Sequence, residues 1–136
     1  MPMQLNIPVD IADLVQAALN AHGVTACAEP LPRDLGASLP LTLVQPMGGS
    51  SRQDVALDRF AVRLYTYADE PETAISAASL AIAALAATEG EVVDGTQVYH
   101  VQPTSMAYPA NDPDHPTLSR ACSTAYVWAR ATTTDI

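Results

Sequence analysis

Few residues in this 136-residue chain have the type and spacing for chemistry: three histidines, two cysteines and a glycine–serine run. His100 falls in a strand-like segment, on the opposite side from Tyr99 and Val101. It would approach Cys122 if the last two strands pair, giving a thiol–imidazole couple for nucleophilic chemistry. No third group orients such a couple and no backbone nest awaits an oxyanion. His115 stands beside Asp112 and Asp114, where Asp-x-Asp-His could join a weak metal site but reads first as solvated turn chemistry. His22 ends a helical pattern, where a cation suits the helix dipole, so a capping role comes first. Gly48-Gly-Ser-Ser51 has neither the Gly-Lys-Ser/Thr ending nor the following helix of a P-loop. With Arg52 it reads as a mobile strand-to-strand loop suited to partner contact. Gly-x-Ser-x-Gly is missing, and the acids show no pairing pattern beyond loop and cap positions. The expectation is a protein without catalytic residues, cofactor or metal.

Composition narrows the field further. The six basic residues are all arginines (Arg33, Arg52, Arg59, Arg63, Arg120, Arg130) against fifteen acids, for a net charge of -9. That balance argues against gripping nucleic acid through its phosphates. The absence of lysine, a mark of GC-rich coding, excludes Schiff-base and P-loop lysine chemistry. The first positive side chain is Arg33, so no secretory signal is expected. Thr73 to Thr88 is too short and too alanine-rich to span a bilayer. Cys27 and Cys122 lie far apart in apolar surroundings; one disulfide is conceivable, and two reduced thiols are the first expectation.

The elements that must position these residues follow from periodicity. Ile11, Leu14, Val15, Ala18, Leu19 and His22 form one apolar stripe of a helix from Asp10, its cap, to His22, with Gly23 as stop. Val24 to Ala28 reads as a strand, Pro30 to Pro40 as a loop, Leu41 to Gln45 as a strand and Pro46 to Asp54 as a flexible connection. From Asp58 to Tyr67 the alternation puts Phe60, Val62, Leu64 and Thr66 on one side, with Arg59, Ala61, Arg63, Tyr65 and Tyr67 on the other. A second helix starts near Pro71 and runs to about Thr88. Strands from Gln97 to Met106 and Thr117 to Arg130 follow, joined by the turn-rich Ala107 to Pro116. Residues 1–8 and 131–136 are expected to be loose. The prediction is one α+β domain over residues 1–136: an antiparallel or mixed sheet of about five strands with two main helices on one face.

Two surfaces stand out. The second helix carries no charge from Thr73 to Thr88. Ile75, Ala78, Ile82, Leu85 and Ala86 share the expected core side, leaving Leu80, Ala77, Ala84 and Ala87 opposite. Alanine's helix propensity and a second subunit covering that side account for it equally well. In the last strand Arg120, Cys122, Thr124, Tyr126, Trp128 and Arg130 alternate with small residues suited to lying under helices. With Arg63, Tyr65 and Tyr67 they form one aromatic and arginine face if the strands share a sheet. Such a face suits assembly, and it is also the half-exposed side of many antiparallel sheets.

The order of the elements now points to a family. The helix Asp10–His22, Gly23-Val24, the proline-rich loop into Leu39-Pro-Leu-Thr-Leu-Val-Gln45, the strand Arg59-Phe-Ala-Val-Arg-Leu-Tyr-Thr-Tyr67, a helix of about five turns and two long strands together cover residues 8 to 130. This arrangement resembles the tail terminator, or tail completion, family of long-tailed (siphovirus-type) bacteriophages. The resemblance implies a virion structural protein at the tail–neck junction, made in the host cytoplasm. It would form a hexameric ring that caps the tail tube, ends its polymerisation and joins it to the head connector. Its partners would be itself, the tube protein and the connector, with DNA passing unbound through the channel and no membrane involved. An acidic chain suits that passage, and Asp54, Asp58, Glu89, Glu91 and Asp94 are the acids expected near a lumen. Another head-to-tail neck protein is the alternative, then a small cytoplasmic enzyme or ligand-binding protein using His100 and Cys122.

Overall fold

The computed structural model describes residues 3–135. Strand β1 (Gln4–Ile7) precedes helix α1 (Ile11–Ala21), followed by β2 (Ala26–Ala28) and a 3-10 turn at Leu35–Ser38. Next come β3 (Leu41–Pro46), β4 (Ser51–Asp54), β5 (Leu57–Ala68) and helix α2 (Pro71–Ala86). The chain ends in β6 (Val92–Val93), β7 (Thr96–Pro109), β8 (Ser119–Arg130) and β9 (Thr132–Asp135). The main sheet runs β2-β3-β5-β8-β7-β6, with β4 also on β5. Among the described residues only β2 and β3 are parallel in an otherwise antiparallel sheet, so it is mixed. The fold is α+β, as its order of elements predicts.

Helix α1 begins where the Asp10 carboxylate accepts the Asp13 amide, and it stops at Gly23, whose φ of 82° suits glycine. Both helices cover one face, α1 over β2 and β3, α2 over β5, β8 and β7. The core between the layers holds Leu14, Val15, Leu19, Val44, Val62, Leu64, Leu85 and Val127. Phe60, Val62, Leu64 and Thr66 all point inward, as alternation predicts. Under α2 the sheet offers Ala121, Ser123 and Ala125, all buried. Those small side chains let the helix approach closely, so it docks through Ala74, Ala78, Ala81, Ala84 and Leu85. The predicted core face therefore needs correction: Ile75, Ile82 and Ala86 are only half-buried at its flanks, and Ala84 is inside it.

Three segments expected to be irregular are strands. Residues 46–54 contain β4, and β3 with β4 follows a single edge of β5. Pro46 pairs with Val62 and Ser51 with Arg59. Between those pairs Met47, Gly48, Gly49 and Ser50 face only Phe60 and Ala61, a bulge in one long hairpin. Gly49 turns there at φ 97°, while the Met47 amide donates to the Ala61 carbonyl and the Ala61 amide to Ser50 Oγ. The ends, predicted loose, form the ribbon β1–β9, with Leu5 opposite Thr134 and Ile7 opposite Thr132. Asn6 and Arg52 fasten it to the Val55 turn, through Asn6 Nδ2 to the Val55 carbonyl at 3.0 Å and Arg52 to the Asn6 carbonyl at 3.1 Å. Of the ends predicted loose, residues 1, 2 and 136 lie outside the described residues.

Candidate functional site

The β5–β8 register makes the aromatic and arginine face one continuous surface. Arg59 lies opposite Trp128, Ala61 opposite Tyr126, Arg63 opposite Thr124, Tyr65 opposite Cys122 and Tyr67 opposite Arg120. Strand β7 extends the rows with His100 beside Trp128, Gln102 beside Tyr126 and Tyr108 beside Cys122. Arginines lie over the rings: Arg59 over Tyr126 at 4.4 Å, Arg63 over Tyr65 at 4.8 Å and Arg120 over Tyr65 at 3.8 Å. His100 lies against Trp128 at a tilt of 42° with centroids 4.8 Å apart, and Tyr126 meets the same indole edge-on at 6.0 Å. Gln45 accepts from Arg63 Nε at 3.0 Å, a partner that the sequence reading missed. Among the described residues no carboxylate comes within 4.0 Å of Arg59, Arg63 or Arg130, whereas Arg52 and Arg120 have one each. The Nε of Arg59 is buried without a partner.

The far end of this face is closed. Leu31, Leu35 and Leu39 of the 30–40 segment pack on Leu41, Leu43 and Tyr67, joined by Leu118 from the β7–β8 connection. Tyr67, expected on the open face, is thereby 1% exposed and unavailable to a partner. Its hydroxyl donates to Asp112 at 2.7 Å, which also receives the Asp114 amide at 3.0 Å and faces His115 Nδ1 at 2.9 Å. Arg120 NH1 lies 3.5 Å from the same carboxylate. Burial would raise the Asp112 carboxyl, but these hydrogen bonds and the Arg120 charge override it and bring it to about 2. Burial, reinforced by the Asp112 bond, pushes Tyr67 up to about 12. The Asp112–Asp114–His115 cluster thus pins a loop to the sheet. Among the described residues no three His, Cys, Asp or Glu side chains are grouped to hold a metal.

The histidine–cysteine couple does not form. His100 pairs with Trp128 while Tyr108 faces Cys122, because β7 runs on to Pro109 and β8 begins only at Ser119, which leaves the imidazole towards the other end of β8. His100 Nδ1 bonds Glu89 instead. Cys27, Leu43, Tyr65 and Cys122 lie in one row across β2, β3, β5 and β8. Three strand spacings separate the thiols by about 14 Å, beyond disulfide reach within one chain. Burial pushes the Cys27 thiol up, away from a reactive thiolate. His22 turns its ring to Glu91 at 3.1 Å.

The back of α2 is the second surface. Leu80 is 63% exposed, Ala87 is exposed and Ala77 half-buried, while Ala84 faces the core. A cleft of about 290 Å³ beside Leu80 and Ala77 is walled by Val24, Ser38 and Pro40. Gly48, Gly49, Ser50, Ser51 and Arg52 are exposed but do not form a free loop: Arg52 binds Asp58, and Arg59 NH2 reaches the Gly49 carbonyl at 3.4 Å. Of the five acids expected near a lumen, Asp58 is buried at 4% under Arg52 and is corrected. Asp54 and Asp94 are exposed in hairpin turns, with Asp94 at φ 48° before Gly95. Glu91 is exposed beside His22; Glu89 is held below the usual carboxylate range by the Val101 amide and His100.

Among the described residues no helix is long and apolar enough to cross a membrane. No protein-family model matches the chain, and no curated protein matches it in sequence.

Proposed function

We propose that this protein is a virion structural component, a tail terminator of a long-tailed phage that acts by stoichiometric capping. The observation that carries the reading is a pair of unlike surfaces set back to back. The uncharged back of α2 around Leu80 lies on one side of a two-layer molecule, and the arginine–aromatic rows lie on the other. A ring closed by head-to-tail contacts needs two such different faces on each subunit. The resemblance in element order supplies the assignment to the tail. In this reading six subunits form the ring, the tube and the head connector bind its two ends, and Asp54 and Asp94 add negative charge where DNA passes.

Light scattering over a wide concentration series tests the ring, with an expected rise to six times 14.3 kDa. Electron microscopy of tail tubes mixed with the protein tests the cap. Rings seated at one tube end are the expected result; tubes that keep growing in its presence refute the terminator role.

A further inference from the structure

The exposed acids Asp69, Glu70 and Glu72 surround the start of α2, and Glu89 and Glu91 follow its end. No arginine belongs to either helix. Arg59, Arg63, Arg120 and Arg130 all project from the opposite side of the sheet, where register places them on one face. In a chain with fifteen acids, Arg59, Arg63 and Arg130 still find no carboxylate among the described residues.

On the helical side the free acids gather at one end, Asp69, Glu70 and Glu72 at the start of α2, whereas Glu89 lies beyond the helix end at Ala86 and is bound to His100 and the Val101 amide. On the sheet side the arginines without a carboxylate are Arg59, Arg63 and Arg130, whereas Arg120 is paired with Asp112 at the closed end. Between the acids lies uncharged helix with Leu80 exposed, and between the arginines lie Tyr126 and Tyr65. The helical surface joins an acidic end to an apolar stretch, and the sheet surface alternates rings with arginines that lack a carboxylate.

We infer that the occupant of the arginine–aromatic sheet face is the acidic helical face of a second copy of this chain, docked front to back. The inference rests on the ring proposed above and names its contact. Approach is steered by opposite charge, Leu80 is covered by the ring-bearing rows, and the Arg59 guanidinium gains a carboxylate it lacks within its own chain. Both faces are used once per copy, so the contact is head-to-tail and passes from copy to copy, closing into a ring when the rotation between copies divides a full turn.

A charge-exchange experiment on the full chain tests it. One variant carries Glu70→Lys and Glu72→Lys; the other carries Arg59→Glu and Arg63→Glu. Each places like charges across the contact, so each alone associates about tenfold more weakly or worse than wild type in sedimentation velocity. Mixed in equal amounts they alternate, and assembly returns. Wild-type association also weakens as salt rises from 50 to about 500 mM. Circular dichroism checks that both variants fold; if Arg63→Glu does not, Arg59→Gln with Arg130→Gln takes its place and is expected to weaken association in the same direction. Folded variants that associate like wild type overturn the contact, as does a mixture that stays dissociated or a wild type monomeric at every concentration. Rings that form through this contact yet ignore tail tubes refute the terminator reading alone. Tubes capped by rings that survive both charge reversals refute this contact alone.

Discussion

Tyr67 and Trp128 stand at opposite ends of one sheet face, yet their surroundings differ in kind. Tyr67 lies under Leu35 and hydrogen-bonds a carboxylate already shared with His115 and Arg120. Trp128, half-buried, has His100 and Tyr126 beside it, and its neighbour Arg59 keeps an unsatisfied nitrogen. At the first end the 30–40 segment and the β7–β8 connection supply the cover. At the second, polar groups and rings are positioned but uncovered. The difference separates residues that hold the chain together from residues that cost stability to place, because an unpaired buried donor is unfavourable.

The sharpest way to break this contrast is to truncate both ends. Leu41→Ala, at the closed end, should lower unfolding free energy by about 3 kcal/mol. Trp128→Ala, at the open end, should lower it by about 1 kcal/mol. Urea midpoints compare the two, and equal losses would erase the distinction. Next in size, Asp112→Asn should cost about 2 kcal/mol, since the buried Tyr67 hydroxyl and Arg120 lose a charged acceptor. The pH dependence follows from the same carboxyl, which sits at about 2 in the fold against its ordinary 3.8. Its depressed value means that its stabilisation is complete above about pH 4 and is lost as pH falls towards 2. Wild type should therefore lose stability over that window, and Asp112→Asn should show a flatter acid limb in pH-dependent urea melts. Smallest for the monomer is Leu80→Glu, within about 0.5 kcal/mol of wild type because the site is exposed. Its effect should appear in assembly, which a buried unpaired charge would abolish; light scattering of the folded variant decides.

Much of the fold was legible because local signals were strong. Asp10 and Gly23 bracket α1, and the alternation from Asp58 to Tyr67 sorts inner from outer side chains in β5 correctly. Legibility failed where burial runs through small or polar residues. Hydrophobicity chose Ile75 and Ile82 as the core side of α2, but close packing on Ala121 and Ala125 selects alanines there. Ser51-Arg-Gln-Asp54 shows no apolar alternation because both its sides are exposed, so only its pairing with β5 makes it a strand. The ribbon joins segments from opposite ends of the chain, a contact no local window contains. At the candidate site the outward residues of β5 and β8 were named from alternation. The closure over Tyr67 was missed because it joins Leu35, Asp112 and Arg120 across long sequence separations. Tyr108 in place of His100 beside Cys122 follows from where the chain turns, since β7 continues past the expected Met106 to Pro109 and β8 starts only at Ser119.

Gln4 faces Asp135 across the ribbon, so the two described ends of the chain meet at one corner. A short peptide could bridge them with little loss of loop entropy, closing the backbone into a circle. The circle could then be reopened at Gly48, where nothing lies within 4 Å of an added Cβ, while β3 and β4 stay paired with β5. The permuted polypeptide would begin with β4 and finish with β3 yet enclose the same core. Arrangement in space and order along the polymer are, for this molecule, separable properties.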